Sequence, residues 1–208
     1  MFQKILVWLR EVLSKMINTS SVKQSLGVNV AISSEMASAL QTWAAMYLNQ
    51  SPWLTTDVKS LNLASAIAAE IARAVTIEMQ VTLSGSPRAK FLGMQIERVV
   101  DRLRLATEYG AAKGGLMLKP YISGNQLAVD YVQADQFYPV AFDANGNMTA
   151  CVFSDTKIMG KDFYTRLEYH ALAADGYQIR NMAYKSSTKD TLGIQVPLTS
   201  VQAWSELQ

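Results

Sequence analysis

The stretch YGAAKGGLMLKPYISGNQLAVDYVQADQFYPVAFD, from Tyr109 to Asp143, decides the fold because helical periodicity ends in it and strand periodicity begins. Its glycines Gly110, Gly114 and Gly115 suit a helix end and a tight entry into extended chain, since glycine tolerates positive φ without steric cost. The Ser-Gly-Asn cluster at 123–125 then separates two apolar runs, which predicts a hairpin. The stretch therefore predicts a junction between a helical part and a β part.

Two long helices are predicted before this junction, over residues 61–83 and from Arg88 to Ala111 or Ala112. The break at 84–87, Ser-Gly-Ser-Pro, is short, so the two helices are expected to be antiparallel neighbours. The first helix is apolar around most of its circumference, which indicates burial on most sides. We therefore expect Ile71 to lie in the core and Ile71→Asp to unfold the domain.

The residues expected to face inward follow from the helical period. In the first helix they are Leu63, Ala64, Ile67, Ala68, Ile71, Ala72, Val75 and Met79. In the second they are Phe91, Leu92, Ile96, Val99, Val100, Leu103, Ala106 and Tyr109. Glu70 and Arg73 are expected to form a local i, i+3 pair.

The first 32 residues are expected to be a separate helix and arm. Apolar residues of Met1–Ile17 fall on one helical stripe: Phe2, Ile5, Leu6, Leu9, Val12, Leu13, Met16 and Ile17. Arg10 and Glu11 interrupt the apolar run that a secretory signal requires. Docking on this protein or on a neighbouring subunit is the favoured interpretation, and binding to a membrane surface is the alternative. Asn18–Ile32 is polar and then weakly alternating, which is typical of a flexible linker.

A further helix is expected to begin at a cap, Ser33 or Ser34, and to stop before Pro52. Three aromatic residues, Trp43, Tyr47 and Trp53, lie in and after it. Core packing is the favoured interpretation of these residues over a ligand or interface role.

Antiparallel strands are predicted after the junction. Residues 137–142 and 147–154 flank a turn at 143–147, and the alternating runs 162–172 and 177–184 follow. The turn superficially resembles a calcium loop, but its twelfth position is Ser154 where a bidentate glutamate is required. The pattern predicts an α+β fold. It has an N-terminal helix and arm over 1–32 and one domain over 33–208, helical over 33–114 and β-rich over 115–208.

Composition excludes several classes of function. Nineteen basic and seventeen acidic residues give a net charge of +2, so nothing global favours nucleic-acid binding. The single cysteine, Cys151, excludes an intramolecular disulfide, and one cysteine with one histidine cannot build a usual zinc site. No apolar run is long enough for a membrane span. We assign no metal and no cofactor.

One pair of residues is a catalytic candidate. Glu168 and His170 lie two apart on one strand face and could share a proton transfer, as a hydrolase would require. Pairing with a lysine or arginine across a solvated sheet face is the commoner explanation. The glycines at 110–115 do not form a phosphate loop, because no Gly-Lys-Ser/Thr follows. No catalytic residue is assigned.

A row of arginines marks the outward face of the second long helix: Arg98, Arg102 and Arg104, with Arg88 and Lys90 at its start. Such a row could contact phosphates. Glu97, Asp101 and Glu108 are interleaved with it, so a solvated, self-paired face is favoured.

Several segments, in this order and spacing, resemble the portal proteins of tailed bacteriophages, in the long-tailed branch that infects Gram-positive bacteria. They are MASALQTWAAMYLNQSPWL at 36–54, SLNLASAIAAEIARAVTIEMQ at 60–80, SPRAKFL at 86–92, EYGAAKGGLMLKPY at 108–121, VDYVQADQFYPVAFD at 129–143, FYTRLEYH at 163–170 and IQVPLTSVQAW at 194–204. The resemblance covers nearly the whole chain from Met36.

The resemblance implies a structural subunit of the portal's peripheral wing. Portal subunits form a ring, usually of twelve, at one capsid vertex, where DNA is packaged and ejected. Implied partners are other portal subunits, the major capsid protein and, for the full-length protein, the terminase motor and double-stranded DNA, with no membrane. The implied location is the virion, and the host cytoplasm during assembly. Portal subunits are not themselves ATPases, so no enzyme activity is expected.

Members of that family are normally considerably longer, and this chain stops about where the wing gives way to the stem. Residues that contact DNA or the motor are therefore left unassigned. Another head-to-tail connector or a minor capsid protein is the nearest alternative. A hydrolase using Glu168 and His170 is the alternative from a different class.

Overall fold

The computed structural model of this protein describes residue 17 and residues 19–124, 126–189 and 191–207. Helices precede strands and every strand pairing is antiparallel, so the predicted α+β class is confirmed. The chain forms two compact units, one made of residues up to Gln41 and from Asp135 onward, the other of Thr42–Ala134. The first hairpin belongs to the Thr42–Ala134 unit, because it packs on a helix of that unit.

The Thr42–Ala134 unit holds two helices, α3 (Leu63–Thr76) and α4 (Pro87–Lys113), and the hairpin of β1 (Leu116–Ser123) and β2 (Gln126–Gln133). It also contains the end of α2 (Ser34–Tyr47), which begins in the other unit. The predicted cap of α2 is confirmed, since the Ser33 hydroxyl accepts a hydrogen bond from the Met36 N–H at 3.1 Å.

Helix α4 begins one residue before the predicted Arg88 and ends at Lys113, just after the predicted Ala111 or Ala112. The Ser86 side chain accepts a hydrogen bond from the Ala89 N–H, and Pro87 occupies the first turn. Gly114 ends the helix in the left-handed conformation, at φ 75°. A Cβ added to Gly114 would lie 3.0 Å from the Trp43 ring, so this glycine also provides the space that Trp43 occupies.

Gly110 does not end the helix as expected but lies inside α4. A Cβ on Gly110 would lie 3.4 Å from the Leu116 Cβ, so the glycine allows β1 to pass close to the helix. The hairpin packs on α4, because the Tyr131 hydroxyl donates a 2.7 Å hydrogen bond to the Val99 carbonyl. The predicted hairpin is confirmed, although Asn125 of its turn lies outside the described residues.

Helix α3 is shorter than predicted, because it stops at Thr76 and not at Leu83. The Thr76 hydroxyl donates a 2.7 Å hydrogen bond to the Ala72 carbonyl in the last turn of α3. The sequence after it, including Ile77 and Val81, contains β-branched residues that favour extended chain. The two helices are antiparallel as predicted, since Ala64 and Ala68 of α3 and the last turn of α4 line the same groove.

The expected burial of α3 is wrong. Only Ala68 and Ala72 are buried, whereas Ile71 is 46% exposed. The alanines permit close contact with α4, and the larger aliphatic side chains lie on the next helical stripe, outside that contact. In α4 the inward pattern mostly holds, but Phe91 is exposed and Gln95 is buried instead.

The other unit contains α1 (Thr19–Leu26) and a five-stranded antiparallel sheet in which each strand pairs with the next. Its strands are β3 (Phe137–Phe142), β4 (Met148–Met159), β5 (Asp162–Ala173), β6 (Gly176–Ser186) and β7 (Ile194–Val196). The sheet carries Tyr138, Val152 and Leu167, all fully buried, on one face.

Helix α1 occupies part of the segment expected to be a flexible linker, so that expectation is wrong. Val22 and Leu26, four residues apart on one side of the helix, are both buried. Ile17 is buried as well, and its N–H donates a 2.8 Å hydrogen bond to the Tyr138 hydroxyl. Two buried positions one turn apart therefore order a segment whose composition is otherwise polar. The rest of the helix predicted over Met1–Ile17 lies outside the described residues.

The opposite face of the sheet is covered by the C-terminal segment. Trp204 is buried with Ala183 and Val201, and its indole N–H donates a 3.0 Å hydrogen bond to Asp155.

At one end of the sheet, the turn at 143–147 is a hairpin turn as predicted. The Asp143 carboxylate accepts two backbone hydrogen bonds, from Asn145 and Asn147. These bonds and the Asn147 side chain lower the pKa of that carboxyl.

Substitutions in α3 test its orientation. We expect Ala72→Asp to lower the free energy of unfolding by about 3 kcal/mol or more, because it places an unpaired charge at a fully buried position. Ile71→Asp is expected to change the free energy of unfolding by less than about 1 kcal/mol, since Ile71 is half exposed. Urea denaturation of both variants measures the difference, and equal losses would contradict the orientation.

Substitution of Gly114 tests the junction. Gly114→Ala is expected to destabilise the protein by about 2 kcal/mol, through the left-handed φ and through the contact with Trp43. Gly27→Ala is a matched control, because Gly27 has φ +68° and open space around its added Cβ. The control should cost only about 1 kcal/mol. Thermal melting compares the two, and a harmless Gly114→Ala would contradict this role.

Candidate functional site

A row of polar side chains runs along β5, where it is buried at Glu168 and His170, and onto β6, where it is exposed. We call Arg166, Glu168, His170 and Tyr177 the polar row. Arg166 Nη2 lies 2.9 Å from Glu168 Oε2, and Glu168 Oε1 lies 2.6 Å from His170 Nε2. The other ring nitrogen, Nδ1, lies 2.5 Å from the Tyr177 hydroxyl. The structure therefore joins the two residues that the sequence offered as a catalytic pair.

Glu168 and His170 are buried, so the solvated sheet face expected for this pair is wrong. Glu168 is 8% and His170 6% exposed. Phe153 packs edge-on against the His170 ring, with the ring centroids 5.0 Å apart. The cationic partner of Glu168 is also not across the sheet but two residues earlier on the same strand, at Arg166. Alternation within β5 places these side chains on one face, which is why they meet.

The hydrogen bonds define what His170 can do. An ionised Glu168 only accepts, so the His170 Nε2–H donates to it, whereas the direction of the bond between Nδ1 and the Tyr177 hydroxyl depends on the protonation of the ring. Burial, followed by the charges of Cys151 and Glu168, raises the pKa of Tyr177 and keeps its proton available to donate. Both ring nitrogens are thus bonded within the row. A hydrolytic role would require one of these bonds to be exchanged for a bond to a nucleophile or substrate.

Cys151 of β4 lies opposite His170 in the strand register and forms no disulfide. Within the described residues, no group of three or more histidine, cysteine, aspartate or glutamate side chains is placed to hold a metal ion.

The arginine row of α4 is organised differently from the prediction. Arg98 donates a hydrogen bond to the Gln126 side chain of the hairpin. Glu108 accepts a 2.7 Å hydrogen bond from the Tyr47 hydroxyl, and this bond with burial raises the pKa of Tyr47. Glu70 and Arg73 of α3 form the predicted local pair. The arginine row is therefore tied to the hairpin at Arg98, and the acidic residue Glu108 belongs to the contact with α2.

A second candidate is an exposed apolar surface on α3. Its members recur every four residues and are 46% to 61% exposed. We call this set the apolar face: Leu63, Ile67, Ile71 and Val75. Soluble monomers rarely expose a contiguous surface of large aliphatic side chains, and such a surface commonly binds another protein. The helical stripe next to it, with Ala68 and Ala72, is already used against α4.

A groove of about 180 Å³ adjoins the apolar face. Trp43 and Tyr47 of α2 line it, together with the start of α3 and two alanines near the end of α4. The remaining lining residues are Met46, Ala64, Ile67, Ala68, Ile71, Ala111 and Ala112. Since Ile67 and Ile71 belong to both, the groove and the apolar face form one continuous apolar surface.

The aromatic residues beside this groove do not all pack in the core as expected. Tyr47 is buried and contacts Tyr109 edge-on, at a centroid distance of 5.9 Å. Trp43 is 37% and Trp53 55% exposed. The core interpretation is therefore correct for Tyr47 and wrong for Trp53, while Trp43 forms a partly open wall of the groove.

The sequence contained a signal for this surface. Ala64, Ala68 and Ala72 recur at i, i+4 and i+8, while the bulky aliphatic residues recur one position earlier. A line of small residues beside a line of large ones indicates a close helix contact on the first line. Treating both lines as a single stripe concealed that distinction.

Comparisons with protein-family models, with curated proteins and with solved structures find no match to this chain. None of the helices described by the structure is both long enough and apolar enough to span a membrane. The candidate sites are therefore interpreted from their own geometry.

Substitution of His170 tests the polar row. His170→Ala is expected to lower the free energy of unfolding by about 2–3 kcal/mol. The substitution leaves a cavity and removes the hydrogen bond between His170 and buried Glu168. Tyr177→Phe removes one hydrogen bond near the exposed edge and should cost about 1 kcal/mol. Chemical denaturation measures both losses. Wild-type stability for His170→Ala would contradict a structural role and favour the hydrolase alternative.

Proposed function

We propose that this chain is a structural subunit of a bacteriophage portal, contributing part of the wing of the ring at the capsid vertex. The observation that carries the proposal is the exposed apolar face of α3, with the groove beside it. A subunit of a closed ring must present apolar surface that is buried only in the assembly. The sequence segments that resemble portal proteins, in the same order along the chain, support the same function.

The polar row fits this function as part of a stiff sheet. Its side chains bond to one another at buried positions, and Trp204 is fixed to Asp155 on the same sheet face. Bonds on both sides of Glu168 and of His170 favour one arrangement of these two side chains. A subunit of a ring has to keep its conformation while it is in contact with its neighbours. A sheet with a bonded polar row meets this requirement.

The further partners proposed for the chain follow from its portal role. They are the other portal subunits, the major capsid protein and, in the complete portal, the terminase motor and double-stranded DNA. The proposed location is the virion. No residue of the described structure is assigned to DNA, because the arginine row of α4 carries interleaved carboxylates at Glu97 and Asp101.

Electron microscopy of the purified chain tests the proposal. We expect negatively stained particles to be closed rings with a central opening. The double variant Ile67→Asp, Ile71→Asp is expected to remain folded and to lose the rings, because two charges would be buried in each contact. Circular dichroism checks that the variant is folded.

The matched control is Ile122→Asp, since Ile122 of β1 is 71% exposed and lies outside both the apolar face and the groove. Rings should persist in this control. Monomers at every concentration, or open fibres in place of rings, would contradict the proposed function. Loss of rings in the control alone would place the subunit contact on the hairpin.

A further inference from the structure

The continuous apolar surface formed by the apolar face and the groove is concave on one side and cannot pair well with a copy of itself. Trp43 lines the groove together with small residues such as Ala68 and Ala111. An isologous contact requires a self-complementary patch, whereas a ring joins two different surfaces of the same chain. The natural occupant is therefore a convex apolar segment located elsewhere in the sequence.

The N-terminal sequence supplies such a segment. Residues 1–16 carry apolar side chains at helical spacing: Phe2, Ile5, Leu6, Leu9, Val12, Leu13 and Met16. This spacing is how a helix presents one apolar side to a groove. A 16-residue helix would be about 24 Å long, close to the roughly 21 Å of the 14-residue α3. The lengths of the segment and of the surface therefore match.

Charge and attachment support the same pairing. Residues 1–16 carry Lys4, Arg10 and Lys15 against the single acid Glu11, whereas Glu78 is exposed just after α3 and Glu70 is paired with Arg73. Opposite charges at the rim of an interface favour its formation. Ile17, at the base of the segment, is buried and bonded to Tyr138. The residue that follows the segment, Ile17, is therefore anchored on its own subunit.

We propose that the groove and apolar face bind residues 1–16 of a second copy of this chain. The proposal rests on the proposed function, because a ring requires each copy to give one surface and receive another. Each contact would bury the two apolar surfaces that the sequence and the structure leave exposed. The N-terminal segment would then act as the arm that links neighbours.

Disulfide trapping between differently tagged full-length chains tests the proposal. Cys151→Ala removes the native cysteine from both chains. One chain then carries Leu9→Cys, on the apolar stripe, and the other carries Ile71→Cys, on the apolar face. We expect oxidation to produce a disulfide that joins the two tags on a non-reducing gel. The melting temperature of each cysteine variant, including the control variants described below, confirms that it is folded.

Two control chains set the background. Glu11→Cys replaces a residue off the apolar stripe, and Ile122→Cys replaces an exposed apolar residue outside the groove. Both control pairings should give much less disulfide than the test pairing. Yields equal to the controls would overturn the proposal, because they would indicate random collision.

Other occupants of the surface give other products. Dominant disulfides between two Ile71→Cys chains would show that the apolar face pairs with itself, which overturns the proposal. A chain carrying both Leu9→Cys and Ile71→Cys that closes only on itself would overturn it too. Rings without the test disulfide would overturn the proposal that residues 1–16 bind the groove, but not the proposed portal function. The test disulfide without rings would contradict the portal function and support the binding of residues 1–16.

Discussion

The close contact of α3 with α4 through alanine is the constraint on which the Thr42–Ala134 unit depends. Ala68 and Ala72 have no side chain beyond Cβ, so two helix backbones approach closely along that line. Leu63, Ile67, Ile71 and Val75 lie one position away on the helix and remain outside the contact. Burying the small residues therefore leaves the large ones exposed, so a helix that is apolar on most sides is buried on only one of them.

The sheet unit follows an opposite logic, because buried polar side chains bond to one another there, although Arg166 Nε has no hydrogen-bond partner among the described residues. Strand alternation aligns Arg166, Glu168 and His170 on one face, and Tyr177 ends the row from the next strand. Such a row adds little net stability when complete and costs much when one member is removed. Separately from the row, Trp204 of the C-terminal segment is bonded to Asp155 on the same sheet face. The apolar face of α3 lies in the other unit and is exposed.

Much of the fold was predictable because local signals decide it: the Ser86 cap, the left-handed Gly114, the hairpin turns and the period-2 alternation of β5. The errors arose where tertiary contacts decide the outcome. Val22 and Leu26 order a segment that composition describes as a linker, and the alanine line of α3 determines which apolar residues are buried. The Glu168–His170 bond was recognisable from spacing alone, but its burial was not, since that depends on Phe153 of a different strand. The groove could not be predicted because it requires α2, α3 and α4 together.

The central claim is that the apolar face of α3 is exposed in the single chain and covered in the assembly. Hydroxyl-radical footprinting with mass spectrometry, on dilute and concentrated samples, tests it most directly. The account predicts strong labelling of Leu63, Ile67, Ile71 and Val75 when the protein is dilute and weak labelling when it is concentrated, with Leu167 protected in both. Protection of the apolar face in the dilute chain, or equal labelling at both concentrations, would contradict the account.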